Sequence, residues 1–282
     1  MKEYYIKEHS AYLRYQDFPG TENTILFIHG LGCAGSFDYS EVAAQSVFND
    51  TRCIIVDLLG AGYSDKPTEF DYRVSSHVQY LKSFIEDLNL NDFNVFGHSL
   101  GGPIAIELTT LCQDKVRHLI LTEPNLDASV KGSSSFEIAS FEERDFIEFG
   151  YEKILSDSRN SGGTMWGATL SNWSPYAVHR LSVNAVQGGE VSWRKLLYDL
   201  KIPKTVIFGR KSLPDDDYES LDRDGIPLKV IENVGHSMAW ENPVEVAQVT
   251  SDIIKKINSH RDWKLTFPIS FLCKILYGDS LF

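Results

Sequence analysis

The chain has 282 residues, 43% of them hydrophobic, which is enough to bury a full core. Lys and Arg number 27 against 39 Asp and Glu, a formal charge of -12. Nucleic acid and anionic membrane both need a basic face, so neither is expected as the main partner.

Length alone suggests about two domains at ~150 residues each, although an α/β fold can absorb this length as one domain with an insertion. The first residues, Met1-Lys2-Glu3-Tyr4-Tyr5-Ile6-Lys7-Glu8, carry charges where a signal peptide needs an apolar run. Four cysteines (Cys33, Cys53, Cys112 and Cys273) form no C-x-x-C pair, which is ordinary thiol usage in a reducing compartment. The expectation is a cytoplasmic protein with no metal site and no cofactor.

Ala11–Tyr15 alternates like an antiparallel edge strand. Thr24–Ile28, Cys53–Val56, Asn94–Phe96 and Leu119–Leu121 are short apolar runs of the kind presented by strands buried on both faces. Between them, Val74, Val78, Leu81, Ile85 and Leu88 form one helical stripe, and Ile104, Leu108, Leu111 and Cys112 a second. This alternation predicts an open, mostly parallel α/β sheet. After Glu123 the rhythm stops for almost 80 residues, a stretch holding Trp166, Trp173 and Trp193, three of the five tryptophans. It resumes with Thr205–Phe208 and Leu228–Ile231. A closing helix is expected from Asn242-Pro243-Val244-Glu245, with Asn as N-cap and Pro at the first helical position. The organisation read from this pattern is a core at 1–126 and 200–262, a helical lid at 127–199 and an apolar tail at 263–282.

Three segments carry chemistry. Gly97-His98-Ser99-Leu100-Gly101 lies between a strand and a helix, the setting of a nucleophile elbow that lifts a serine hydroxyl above the sheet. His29-Gly30-Leu31-Gly32 follows an earlier strand, where a loop supplies one backbone donor to an oxyanion. Leu31 is the expected donor there, with the N–H of Leu100 as the second. His236, in Val234-Gly235-His236-Ser237 after the last strand, is placed to act as general base. The remaining histidines have no partner motif, and no two ligands stand at metal-binding spacing. One competing reading stays open: Gly30-Leu31-Gly32-Cys33-Ala34-Gly35 satisfies G-x-G-x-x-G, and Asp57 ends the next strand, as a dinucleotide site requires.

These segments, with Asp57-Leu58-Leu59-Gly60-Ala61-Gly62-Tyr63-Ser64-Asp65-Lys66-Pro67, resemble the α/β-hydrolase superfamily in type and order over roughly residues 20–258. The resemblance implies an eight-stranded, mostly parallel sheet, a helical cap inserted after the sixth strand and a Ser-acid-His triad. It disfavours members with an aspartate nucleophile, because Ser99 occupies the elbow. Relatives commonly carry the triad acid after the seventh strand in a G-x-x-D pattern, but this chain reads Gly209-Arg210-Lys211-Ser212. Two replacements are available: Glu123 at the end of the sixth strand, or one of Asp215, Asp216 and Asp217. Glu123 is preferred, since a triad acid is a single buried group that orients an imidazole, whereas three adjacent carboxylates usually mean a solvated loop.

The resulting expectation is a serine hydrolase of carboxylic esters with a small to medium apolar acyl or aryl substrate. Gly30, His98, Trp166 and Trp173 are the expected substrate contacts. A C–C bond hydrolase or perhydrolase would use the same triad; an NAD-dependent oxidoreductase and a ligand-binding pseudo-hydrolase are the readings from other classes. The tail from Trp263 to Cys273 is dense in apolar residues, yet Lys264 and Pro268 keep it short of the ~18 needed for a membrane span. An apolar patch of this kind favours association. The tail is therefore expected to pack on its own fold, or the chain to form a homodimer through the tail or the lid.

Overall fold

The computed structural model describes the backbone of residues 1–266 and the side chains of residues 1–256. The tail beyond Thr266 lies outside the described residues, and with it the expectation of how the tail packs. Eight strands form one sheet: β1 (Lys2–Ile6), β2 (Ala11–Phe18), β3 (Asn23–Ile28), β4 (Thr51–Asp57), β5 (Phe93–His98), β6 (Val116–Thr122), β7 (Lys204–Gly209) and β8 (Leu228–Ile231). Their spatial order is β1-β2-β4-β3-β5-β6-β7-β8. From β4 across to β8 every pairing is parallel, while β1 and β2 join antiparallel at one side. Ala11–Tyr15 is therefore not the edge. Lys2–Ile6 covers it, a strand masked in the sequence by Lys2 and Glu3, with Ile6 as its buried residue.

The apolar runs are continuous rather than alternating because both faces of the sheet are covered. Leu26, Ile28, Ile54 and Val56 face one buried cluster, whereas Ile25, Phe27, Cys53 and Ile55 face the other. Helices Val74–Asp87 and Gly101–Leu111 close the first face with Val78, Leu81, Phe84, Ile104 and Leu108. Helix Pro243–Thr266 closes the second with Val246, Ala247, Ile253 and Ile254. Its start is capped as the sequence suggests, with the Glu245 N–H donating to Asn242 Oδ1 at 3.1 Å.

Between β6 and β7 the chain makes a run of helices from Ser134–Ala139 to Trp193–Asp199, including one π-turn at Phe146–Gly150. Polar bonds tie this insertion to the rest of the fold. The Trp173 indole donates to Cys33 O at 2.7 Å and that of Trp193 to Glu107 Oε1 at 2.8 Å. Arg180 reaches the carbonyls of Thr68 and Phe70 while its other arm pairs with Glu143. No helix among the described residues is long and apolar enough to cross a membrane.

A further polar brace lies beside the closing segment. The Trp240 indole donates to Asp38 Oδ1 at 3.0 Å, and the Cys33 thiol bonds the same carboxyl. Burial pushes Asp38 up to about 7, against the opposing pull of those two donors. Its folded value stands above its unfolded one, so the stability it contributes is complete below the unfolded value and is lost as pH rises through about 7. Asp38→Asn keeps an acceptor for Trp240 but cannot ionise. Relative to the natural chain, its Tm should rise between about pH 5 and about pH 8; melting curves at both values check this, and a difference that does not change with pH would contradict it.

Candidate active site

The site forms at the C-terminal edge of the parallel strands, where β5 and β6 stop side by side. His98 pairs with Thr122 in the ladder, so the next residues, Ser99 and Glu123, leave the sheet as neighbours. Both have left-handed backbones, φ 50° at Ser99 and φ 39° at Glu123. Such angles are uncommon outside glycine and are held here by the ladder itself. The Ser99 N–H donates to Thr122 O at 3.1 Å, and the Glu123 N–H to Ile207 O at 3.0 Å.

Glu123 then turns toward the loop after β8. Its Oε2 accepts from His236 Nδ1 at 2.7 Å, and its Oε1 accepts from the Gly209 N–H at 2.8 Å. Its side chain is only 9% exposed, that of His236 54%. Burial raises the Glu123 carboxyl, but the hydrogen bond and charge of His236, the Gly209 N–H and the Ser212 hydroxyl together outweigh it. The net direction is below the ordinary glutamate value. Ser212, standing where the G-x-x-D pattern would put an acid, is thus a hydrogen-bond donor to the carboxylate of Glu123.

The three neighbouring aspartates do other work. Asp215 caps helix Asp216–Arg223 by accepting from the Tyr218 N–H at 2.9 Å. Asp217 pairs with Arg194, and Asp216 is exposed in the first helical turn, where negative charge suits the helix dipole. The bond to His236 Nδ1 comes from Glu123 instead.

The loop after β3 lies against the elbow. A Cβ on Gly30 would sit 2.9 Å from Ser99 Cβ and 3.0 Å from His98 O, so only glycine permits this approach. His29 is buried, and burial lowers its pKa. Its Nε2 accepts the Leu58 N–H at 2.9 Å, which pins the loop to the end of β4. The N–H groups of Leu31 and Leu100 donate to no acceptor among the described residues. The Leu31 carbonyl is fixed by the Trp166 indole at 3.0 Å. His98 is also buried; desolvation, then the nearby His236, push it down to about 3. Its neutral ring lies 4.7 Å from that of His236.

Asp57, which a dinucleotide reading would need free for a ribose, is buried and fully engaged. It accepts from the Ser36 N–H and hydroxyl, both at 2.8 Å, and from the Tyr63 N–H at 2.9 Å. These bonds tie the loop after β3 to the Gly60–Ser64 turn.

Ser99, His236, Glu123, His98, Leu31, Leu100 and Trp166 all line one cavity of about 600 Å³. Two expected contacts do not. Gly30 packs behind Ser99 rather than facing the cavity, and Trp173 is buried with its ring edge-on to His29. Trp193 is likewise packing, and Met165 is exposed without lining the cavity. The aromatic-rich insertion thus gives the cavity one tryptophan. Much of the remaining wall is polar, with Asn125, Ser129, Ser133 and Ser135 among its residues. That departs from the apolar pocket expected of the tryptophan content, and short serine-rich loops gave no periodic signal that could have revealed it. Among the described residues no group of three His, Cys, Asp or Glu side chains could hold a metal ion.

The chain belongs to the alpha/beta hydrolase fold family, whose model matches residues 23–243. It is 31% identical over 102 residues to haloalkane dehalogenase 2 of Mycobacterium bovis, covering 36% of this chain and 35% of that protein. It is 35% identical over 107 residues to coelenterazine h 2-monooxygenase of Renilla reniformis, covering 38% and 34%. The matches thus span about a third of the length of these curated relatives. Among solved structures, an esterase from Exiguobacterium antarcticum superposes with a TM-score of 0.74 at 16% identity, covering 90% of this chain and 98% of that one. A bromoperoxidase from Bacillus anthracis gives 0.72 at 19%, covering 90% and 99%. At these identities the likeness is one of fold.

Gly209 offers a structural test of the site's packing. A Cβ there would meet Val234 O at 2.6 Å and Gly235 O at 2.7 Å, in the loop that carries His236. Gly209→Ala should cost about 1–3 kcal/mol of stability, measured by denaturant unfolding; a change near zero would mean that the loop yields freely.

Proposed function

We propose that the protein is a serine hydrolase of carboxylic esters. The observation that carries this reading is the 2.7 Å contact of Glu123 with His236, beside a cavity that Ser99 also lines from a left-handed turn. In this reading Ser99 Oγ attacks the acyl carbon and His236 Nε2 takes its proton. The carboxylate of Glu123 accepts from Nδ1, which fixes the tautomer and stabilises the imidazolium. The free N–H groups of Leu31 and Leu100 hold the oxyanion. His236 then returns the proton to the leaving alcohol, and a water activated by the same imidazole releases the acid. Burial keeps His98 uncharged, so no second cation opposes the imidazolium. The helical insertion acts as a lid, with Trp166 as its contact to the oxyanion loop.

An acid missing from position 212 would favour a pseudo-hydrolase. Glu123, with its own supporting donors, supports an active enzyme instead.

Ser99→Ala should lower hydrolysis of an activated ester by at least about 10³-fold, with an unchanged Tm. It should also abolish labelling by a serine-reactive phosphonate, read by mass spectrometry. Full turnover or undiminished labelling in the variant would overturn the proposal.

A further inference from the structure

The polar side of the cavity has an uneven hydrogen-bond balance. Ser129 is buried, with its backbone N–H held by Ala185 O at 2.8 Å. Its hydroxyl oxygen accepts from Ser135 Oγ at 2.8 Å and from Asn125 Nδ2 at 3.4 Å. Ser133, next in the row, gives its own proton to Val130 O at 2.8 Å. A serine hydroxyl has one proton to donate and two lone pairs to accept with. At Ser129 both incoming bonds are acceptor contacts, so its own proton has no protein acceptor among the described residues. Asn125 Oδ1 likewise accepts no protein donor there. A buried hydroxyl without an acceptor is costly, and this one stands in the wall of a cavity.

The row also begins at the nucleophile. The Asn125 N–H donates to Ser99 O at 3.2 Å, which ties its backbone directly to the elbow. The cavity also has apolar wall, from Leu31, Leu100, Trp166 and Phe208. Its lining is therefore of unlike kinds, with Asp127, Asp215 and Asp217 adding carboxylates, and an all-alkyl substrate would satisfy only the apolar part.

We propose that Asn125 and Ser129 form a polar subsite that takes an uncharged hydroxyl or amide group carried by the substrate a few bonds from its scissile carbonyl. The Ser129 proton would donate to that group and Asn125 Oδ1 would accept from it, with Ser135 holding Ser129 in place. This rests on the ester-hydrolase reading and narrows its substrate class from apolar esters to hydroxyl- or amide-bearing ones. Ser129 and Asn125 are specificity residues here, outside the Ser99-His236-Glu123 group.

Two matched pairs test it. On the acyl side, p-nitrophenyl butanoate is compared with p-nitrophenyl 3-hydroxybutanoate; on the alcohol side, propyl butanoate with 2-hydroxyethyl butanoate. In at least one pair the hydroxyl member should have a kcat/KM about tenfold higher or more, the scale of one good hydrogen bond. Ser129→Ala should bring that ratio toward one by slowing the hydroxyl member, and Asn125→Ala gives the same reading should the first variant fold poorly. Binding of 3-hydroxybutanoate and butanoate amides to Ser99→Ala, by calorimetry, reads the subsite without turnover and so separates this proposal from the hydrolase reading. No preference in either pair and none in binding, or a preference that both variants leave intact, would overturn the subsite.

Discussion

The register of β5 against β6 is the constraint on which the site depends. Because His98 stands opposite Thr122, both strands end at the same level and both chains must turn there. The turn at Ser99 lifts a hydroxyl, and the turn at Glu123 swings a carboxylate toward the neighbouring strand ends. Main-chain bonds continue through both turns, from Ser99 to Thr122 and from Glu123 to Ile207. Each left-handed residue costs of the order of 1 kcal/mol or more, and the buried sheet on both sides holds them in place. A one-residue slip would exchange the faces of every following side chain and separate the pair.

Desolvation then sorts the titratable groups at this edge. His29 and His98 are enclosed and pushed toward the neutral form, which suits them to shaping loops. His236 alone of the three is open to solvent, with 54% of its side chain exposed. Glu123 is nearly as buried as the first two but stays an acid of lowered pKa, because His236, the Gly209 N–H and Ser212 all donate to it. The same enclosure raises the Asp38 carboxyl, whose side-chain donors Cys33 and Trp240 are both uncharged, to about 7.

Much of this was legible in the sequence because it rests on local patterns. Strand-turn-helix around Gly97–Gly101, the glycines after Ile28 and the capped start at Asn242 are short-range signals. The strands of the sheet follow from apolar runs, apart from β1, whose charged residues concealed it. Glu123 could be preferred over the Asp215–Asp217 run on the cost of burying a carboxylate without a partner. What stayed hidden depends on contacts distant in sequence. Ser212 as a donor to Glu123, Trp173 as packing under the loop after β3, and the Asn125–Ser129–Ser135 row are set by how loops meet, and no periodicity reports that. Tryptophan count likewise misleads about the cavity, because two of the three tryptophans in the insertion are buried in packing.

The proposed chemistry turns on Glu123 as the partner of His236. Its most direct measurement is the activity of Glu123→Gln beside Asp215→Asn, Asp216→Asn and Asp217→Asn on one activated ester. Glu123→Gln should lose about 10³–10⁴-fold in kcat, because an amide favours the wrong tautomer and cannot stabilise an imidazolium, with little loss in the three Asp variants. Near-natural activity in Glu123→Gln, with a deep loss in one Asp→Asn variant, would contradict this and move the acid to the segment after β7.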